Sequence, residues 1–179
     1  MIDDKYFDNI YDQYKNIVFN LSLNYVLNVE EAQDITQEVF VKVYQRFHQY
    51  NPEKASLKTW VCQIAINQSL DFLKAKKTTK RFGFITSLFH KETNEPIEGA
   101  VNIDHPGTEM EDKEGLENLL KIIYNLPDNQ KTAIILTKIE DRPQKEVAEI
   151  MNISIKAVES LLQRAKQSIS KKLEDTEGL

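Results

Sequence analysis

The chain has 179 residues, 41% hydrophobic and 28% charged, with a net charge of −5. This composition suits an ordinary soluble protein of one domain or two small ones; no apolar run is long enough to span a membrane, and no secretory leader is expected. The single cysteine, Cys62 within WVCQIAI, is expected as a buried, reduced thiol, which favours a cytoplasmic location, and few Gly and Pro among many Leu, Ile, Lys, Glu and Gln predict a mostly helical protein.

Residues 1–77 are helical in pattern. Phe7, Ile10, Tyr11, Tyr14, Val18 and Leu21 recur at three- and four-residue steps, and a break begins at Asn28. The next segment, EEAQDITQEVFVKVYQRF, carries an apolar stripe of Ile35, Val39, Val43 and Phe47, widened by Phe40 and Tyr44. Asp34, Gln37, Glu38, Lys42 and Gln45 form the opposite face. Periodicity leaves two readings of that face: the solvated side of a bundle helix, or a docking surface offering the Asp34 and Glu38 carboxylates to a basic partner. Tyr50-Asn51-Pro52 breaks the segment and Ser56 opens LKTWVCQIAINQSLDFLKAKK. There Tyr50 and Trp60, polar Asn51, Lys58, Thr59, Asn67 and Gln68, and the closing Lys74, Lys76 and Lys77 gather. Aromatic and amide groups beside a basic strip suit unstacked bases. A core Trp60 and a lysine-rich helix end are the structural alternative.

Residues 78–112 carry Thr, Gly, Pro and acids with little periodicity, predicting an acidic, partly flexible linker on which Phe82, Phe84, Ile85, Leu88 and Phe89 can dock locally. Residues 92–117 hold nine acids against Lys113 alone. Two basic patches, 74–81 and 156–172, flank it. Such a chain has weak nonspecific affinity for duplex DNA and suits delivery to DNA by a larger partner.

Residues 113–179 resume helical periodicity, with Pro127 placed as a first helical residue. QKEVAEIMNISIKAVESLLQRAK fits a helix-turn-helix. Val147, Ala148 and Met151 are expected on the inner face of the first helix, with Ala148 small enough for a close crossing. Asn152 sits where the turn needs positive φ, Ile153 plugs the corner and Ser154 caps the second helix. Val158, Leu161 and Leu162 point inward. Lys156, Glu159, Ser160, Gln163 and Arg164 are left outward, where a major groove would receive them. The sequence thus predicts an all-α fold of two small helical domains, an N-terminal bundle and a C-terminal four-helix domain with a helix-turn-helix, joined by a linker.

DITQEVFVKVYQRF with LKTWVCQIAINQSLDFLKAKK resembles the second conserved region of bacterial sigma factors. LPDNQKTAIILTKIEDRPQKEVAEIMNISIKAVESLLQRAK resembles the fourth. Two regions with a short linker resemble the extracytoplasmic-function group. The resemblance implies a promoter-specificity subunit whose partners are core RNA polymerase, double- and single-stranded promoter DNA, and an anti-sigma factor. It implies that Asp34, Gln37 and Glu38 dock on the polymerase clamp. It places Tyr50, Asn51 and the following loop at a flipped base of the near promoter box. Lys58, Trp60 and Asn67 then hold the melting duplex, with Lys74, Lys76 and Lys77 on phosphates. Lys156, Glu159, Ser160, Gln163 and Arg164 read the far element, Glu159 suited to a cytosine amino group and Arg164 to phosphate. Regions of this kind correspond here to 1–77 and 113–179, with 78–112 between them.

Two departures stand out. Many members have a basic residue and then Ser-Arg where this chain has Glu159-Ser160-Leu161, so its major-groove contacts are its own. The loop NPEKAS, residues 51–56, is also idiosyncratic. Three rival readings exist. A helix-turn-helix regulator with an N-terminal interaction domain predicts a dimer on palindromes but leaves Trp60–Asn67 without a role. An enzyme is disfavoured, because His48, His90 and His105 lack ligand spacing and no phosphate loop or nucleophile motif occurs; no catalytic residue, metal or cofactor is expected. A pure interaction module would make both basic patches incidental.

Overall fold

Asp3 starts the first helix: its carboxylate accepts a hydrogen bond from the Tyr6 amide, satisfying one of the donors that a helix start leaves open. The computed structural model describes residues 3–76 and 110–177, which belong to two compact units. In the first, α1 (Asp4–Val26) ends at Leu27, held in the left-handed region at φ 55, and the Leu27 amide returns to the Leu23 carbonyl at 2.7 Å. Asn28 then caps α2 (Val29–Arg46) through a 2.9 Å bond from the Glu31 amide. Two residues thus reverse the chain, which sets α1 and α2 side by side.

A 3₁₀ turn (Phe47–Gln49) and the loop to Ser56 lead into α3 (Leu57–Lys76), which packs on both earlier helices. Ser56 caps it, its hydroxyl oxygen accepting from the Thr59 amide at 3.1 Å. The core is the expected stripes: Ile10, Val18 and Leu21 meet Ile35, Val39 and Val43, and Val61, Cys62 and Ala65. Cys62 is buried and in no disulfide. Tyr11 departs from the expected α1 stripe and stands 41% exposed, edge-on to Phe40 at 4.8 Å.

The second unit comprises α4 (Met110–Tyr124), α5 (Asp128–Ile134), a π turn (Ile135–Ile139), α6 (Gln144–Met151) and α7 (Ile155–Glu177). Ile123, Leu126, Ile134 and Ala165 form a core lined by Leu119, Leu162 and Ile169. Pro127 precedes α5 rather than opening it. With ψ 143 it lies outside the helical region, and its carbonyl accepts the Lys131 amide at 2.9 Å. Lys131, 2% exposed, sets its ammonium 3.4 Å from both the Asp128 carboxylate and the Tyr124 carbonyl. In the π turn the Glu140 amide bonds to the Ile135 carbonyl, and the Arg142 amide to that of Leu136, each at 2.9 Å. The Arg142 guanidinium then meets Glu140 at 3.1 Å and Glu146 at 2.7 Å, tying the turn to α6.

The helix-turn-helix forms as its residues predict. Asn152 takes φ 54 and ψ 46, and the Ile153 amide reaches back to the Ala148 carbonyl at 3.0 Å. Ser154 accepts the Ala157 amide at 3.1 Å. The inner face of α6 differs in one member: Val147, Ala148 and Ile150 are buried, and Met151 is only half-buried. Because α6 packs on both α7 and the π turn, its buried arc is wider than one stripe and takes in Ile150. Met151 is the last helical residue, at the open end where the chain leaves through Asn152.

Candidate nucleic-acid and partner interfaces

On α2 the inward positions are used up by Ala32, Ile35, Thr36, Val39, Phe40 and Val43. Helical spacing therefore turns Asp34, Gln37 and Glu38 outward, and all are exposed. Val41 continues the same face at 54% exposure, an apolar residue amid polar ones that periodicity did not single out. The Glu38 carboxylate accepts a hydrogen bond from the side-chain amide of Gln68, and the Gln68 carbonyl oxygen accepts one from Lys42. Gln68 is buried. Its expected place beside bases is corrected: α3 turns it toward α2, where it steadies a carboxylate of the acidic face.

The aromatic residues form a connected group. Tyr50 and Trp60 lie 5.3 Å apart, centroid to centroid, and Phe47 is 5.8 Å from Tyr50 and 6.2 Å from Trp60. Tyr6 of α1 adds an edge contact to Phe47 at 5.7 Å while remaining 48% exposed. Trp60 is half-buried, so neither a core residue nor a free platform describes it: one side packs on aromatic neighbours and the rest is open. Tyr14 is buried beneath this group. Burial pushes its phenol above the ordinary value, the nearby Tyr50 and Tyr6 push further, and Lys58 opposes them. Asn51 acts as a turn former, its side-chain oxygen accepting the Glu53 amide at 2.8 Å. That gives NPEKAS a defined bend.

The residues expected on α3 divide between two sides. Trp60, Asn67 and Lys74 recur in steps of seven, on one face, with Asn67 and Lys74 exposed. Lys74 lies 3.6 Å from Asp71. Lys58 and Lys76 fall on the other side at opposite ends. Lys58 is half-buried near Tyr14, and Lys76 is ion-paired with Glu31 of α2 with its ammonium 6.0 Å from the Phe72 ring centre. Lys77 lies outside the described residues, as does nearly all of 78–112.

On α7 the buried stripe of Val158 and Ala165, with Leu161, Leu162 and Ile169 half-buried, fixes which side faces out. Lys156, Glu159, Gln163 and Arg164 are exposed and Ser160 is half-buried. At i, i+4 spacing they fall into two rows, Lys156–Ser160–Arg164 and Glu159–Gln163. Ile155, the first helical residue, extends the second row and is 46% exposed. The sequence reading does not single it out, since it stands three residues before the inward Val158.

Among the described residues no cluster of three or more His, Cys, Asp or Glu could hold a metal ion, and no helix is long and apolar enough to cross a membrane. Comparison with known proteins places both units. Residues 10–79 match the family description Sigma-70 region 2, and residues 116–169 match Sigma-70, region 4. The chain is 31% identical over 164 residues to ECF RNA polymerase sigma factor SigM of Bacillus subtilis, covering 90% of this chain and 91% of that one. It is 30% identical over 184 residues to ECF RNA polymerase sigma-E factor of Haemophilus influenzae, covering 96% and 89%. Its fold is similar to that of the sigma factor RpoE from Bartonella quintana, solved in complex with the anti-sigma factor NepR. The TM-score is 0.58 at 16% identity, over 95% of this chain and 98% of that one.

Proposed function

The chain belongs to the extracytoplasmic-function sigma factors of bacterial RNA polymerase, and from that premise we propose how its two units divide the work. It is a promoter-specificity subunit: it binds core RNA polymerase, recognises upstream promoter elements and promotes melting to start transcription. The observation that carries this is the match of regions 2 and 4, in order, to the two helical units. A helix-turn-helix regulator would leave residues 10–79 without a role.

In this reading residues 1–77 hold the polymerase and open the near box. Asp34, Gln37 and Glu38 form the docking face, whose carboxylates suit basic partner groups. Tyr50 and Trp60 receive an unstacked base on their rings, with Asn51 shaping the loop beside them. Asn67 and Lys74 extend that surface along α3. Lys58, Lys76 and Lys77 complete the basic strip, Lys76 only after exchanging Glu31 for a phosphate. Residues 113–179 anchor the far element through Lys156, Glu159, Ser160, Gln163 and Arg164, with the acidic segment 78–112 between the two. The reading needs no catalytic residue and no cofactor in the chain, and places it in the cytoplasm with the polymerase. An anti-sigma factor is the partner that would cover these faces in the free protein.

The test mixes the purified chain with bacterial core RNA polymerase and a library of upstream DNA fragments. Fragment-selective transcripts are the expected result. DNA binding without polymerase binding or transcripts would overturn the reading.

A further inference from the structure

We propose that Ile155 is a specificity residue that reads the C5-methyl of a thymine in the far promoter element. This rests on the promoter reading of α7 and adds a residue to it.

The argument starts from an exposed apolar side chain. Ile155 is 46% exposed, although it stands three residues before Val158, which is fully buried. The stripe of Val158, Leu162, Ala165 and Ile169 is the side of α7 that packs on its unit. One turn earlier the helix has begun only at Ser154, which caps it, and Ser154, Ile155 and Lys156 are all exposed. The opening residues of α7, Ile155 and Lys156, therefore project beyond the core.

Its neighbours say what that turn meets. Ile155, Glu159 and Gln163 form one row along the helix, and Lys156, Ser160 and Arg164 form the adjacent row. The chemistry of the two rows differs. Lys, Ser and Arg suit phosphates, and contacts to phosphate carry no sequence information directly. Glu accepts from a cytosine amino group, Gln pairs with adenine, and an apolar group packs on the thymine methyl. The first row is thus a set of base-reading groups, and Ile155 is its apolar member at the end of a recognition helix that reaches base edges first. Successive members are about 6 Å apart along the helix axis, against about 3.4 Å between base steps. The thymine is therefore placed within about two base pairs of the pair that Glu159 contacts.

The test uses the full chain reconstituted with core RNA polymerase. Its far element is first defined by selection from a promoter library. Each thymine of that element is then replaced with uracil, which removes only the C5-methyl. One replacement should lower wild-type initiation about fourfold, the size expected for one buried methyl group. The same replacement should make no difference to Ile155→Ala. Ile155→Gln must lose the sensitivity as well, so an alanine variant that fails to fold leaves the test intact. Uracil tolerated at every position by the wild type, or sensitivity kept by an active Ile155 variant, overturns the inference while the promoter reading stands. A wild-type chain that selects no far element overturns both.

Discussion

The two units present their candidate surfaces in different ways. In the second, every candidate contact residue lies on α7, and its direction is fixed by the buried stripe of that same helix and by a cap two residues before Lys156. In the first, the surface is assembled from separate segments. Tyr6, Phe47, Tyr50 and Trp60 come from two helices, a 3₁₀ turn and a loop, and Glu38 is steadied by Gln68, 30 residues away. A surface built on one helix is set by local spacing, so substitutions there should act singly. One built across a bundle is set by tertiary contacts, so residues with no direct partner contact should also matter.

The largest effect should come from reversing charge on α2. Asp34→Arg with Glu38→Arg should weaken core polymerase binding about a hundredfold, as like charges are forced together, without unfolding the unit. Competition with the wild-type chain for polymerase measures it, and unchanged affinity would remove the docking assignment. Next, Trp60→Ala should lower promoter opening about tenfold through loss of base stacking, read by 2-aminopurine fluorescence in the near box. If the far unit alone sets the opening rate, the variant will match the wild type. Gln68→Leu sharpens the comparison: it leaves Asp34 and Glu38 in place but frees the Glu38 carboxylate, and should cost about fivefold in polymerase affinity. A loss equal to that of Glu38→Ala would show that the carboxylate is useless unless held; no loss would show that the bundle contributes nothing to its aim. The smallest effect belongs to α7. Arg164→Ala should weaken all promoters alike and reduce the salt dependence of far-element binding by about one unit of slope, whereas Glu159→Ala and Gln163→Ala should alter the selected sequence. Identical sequence logos for all three variants and the wild type would erase the division between the two rows.

The same contrast explains what could be read from the residues. The helix-turn-helix was legible almost to the residue, because Asn152, Ser154 and Val158 act within a few positions of one another. Its one error on the inner face, Met151 for Ile150, arose where the π turn, a non-local neighbour, widened the buried arc. The helices of the first unit were legible from periodicity and from Asn28 and Ser56. Their side-chain partnerships were not. The sequence grouped Lys74 and Lys76 in one basic strip with Lys58 nearby, yet the ion pair of Lys76 with Glu31 spans 45 residues, and Lys58 turns to the side of the buried Tyr14. Ile155 and Val41 were passed over for the opposite reason: a lone apolar residue outside a stripe carries no signal until the packing around it is known.

The π turn between α5 and α6 makes the second unit sensitive to chain length in an unusual sense. Its i→i+5 bond encloses one residue more than a helical turn needs. Lys138 lies exposed within it, so its side chain would be little missed. Removing that residue would let the turn close as ordinary helix and shift the Glu140 and Arg142 contacts that tie it to α6. Val147 and Ile150 would then have to repack where α6 meets the turn and α7. Insertions and deletions in surface loops usually change only distance; here a single codon would disturb a packed corner, so the unit is kept by counting residues as much as by the contacts they make.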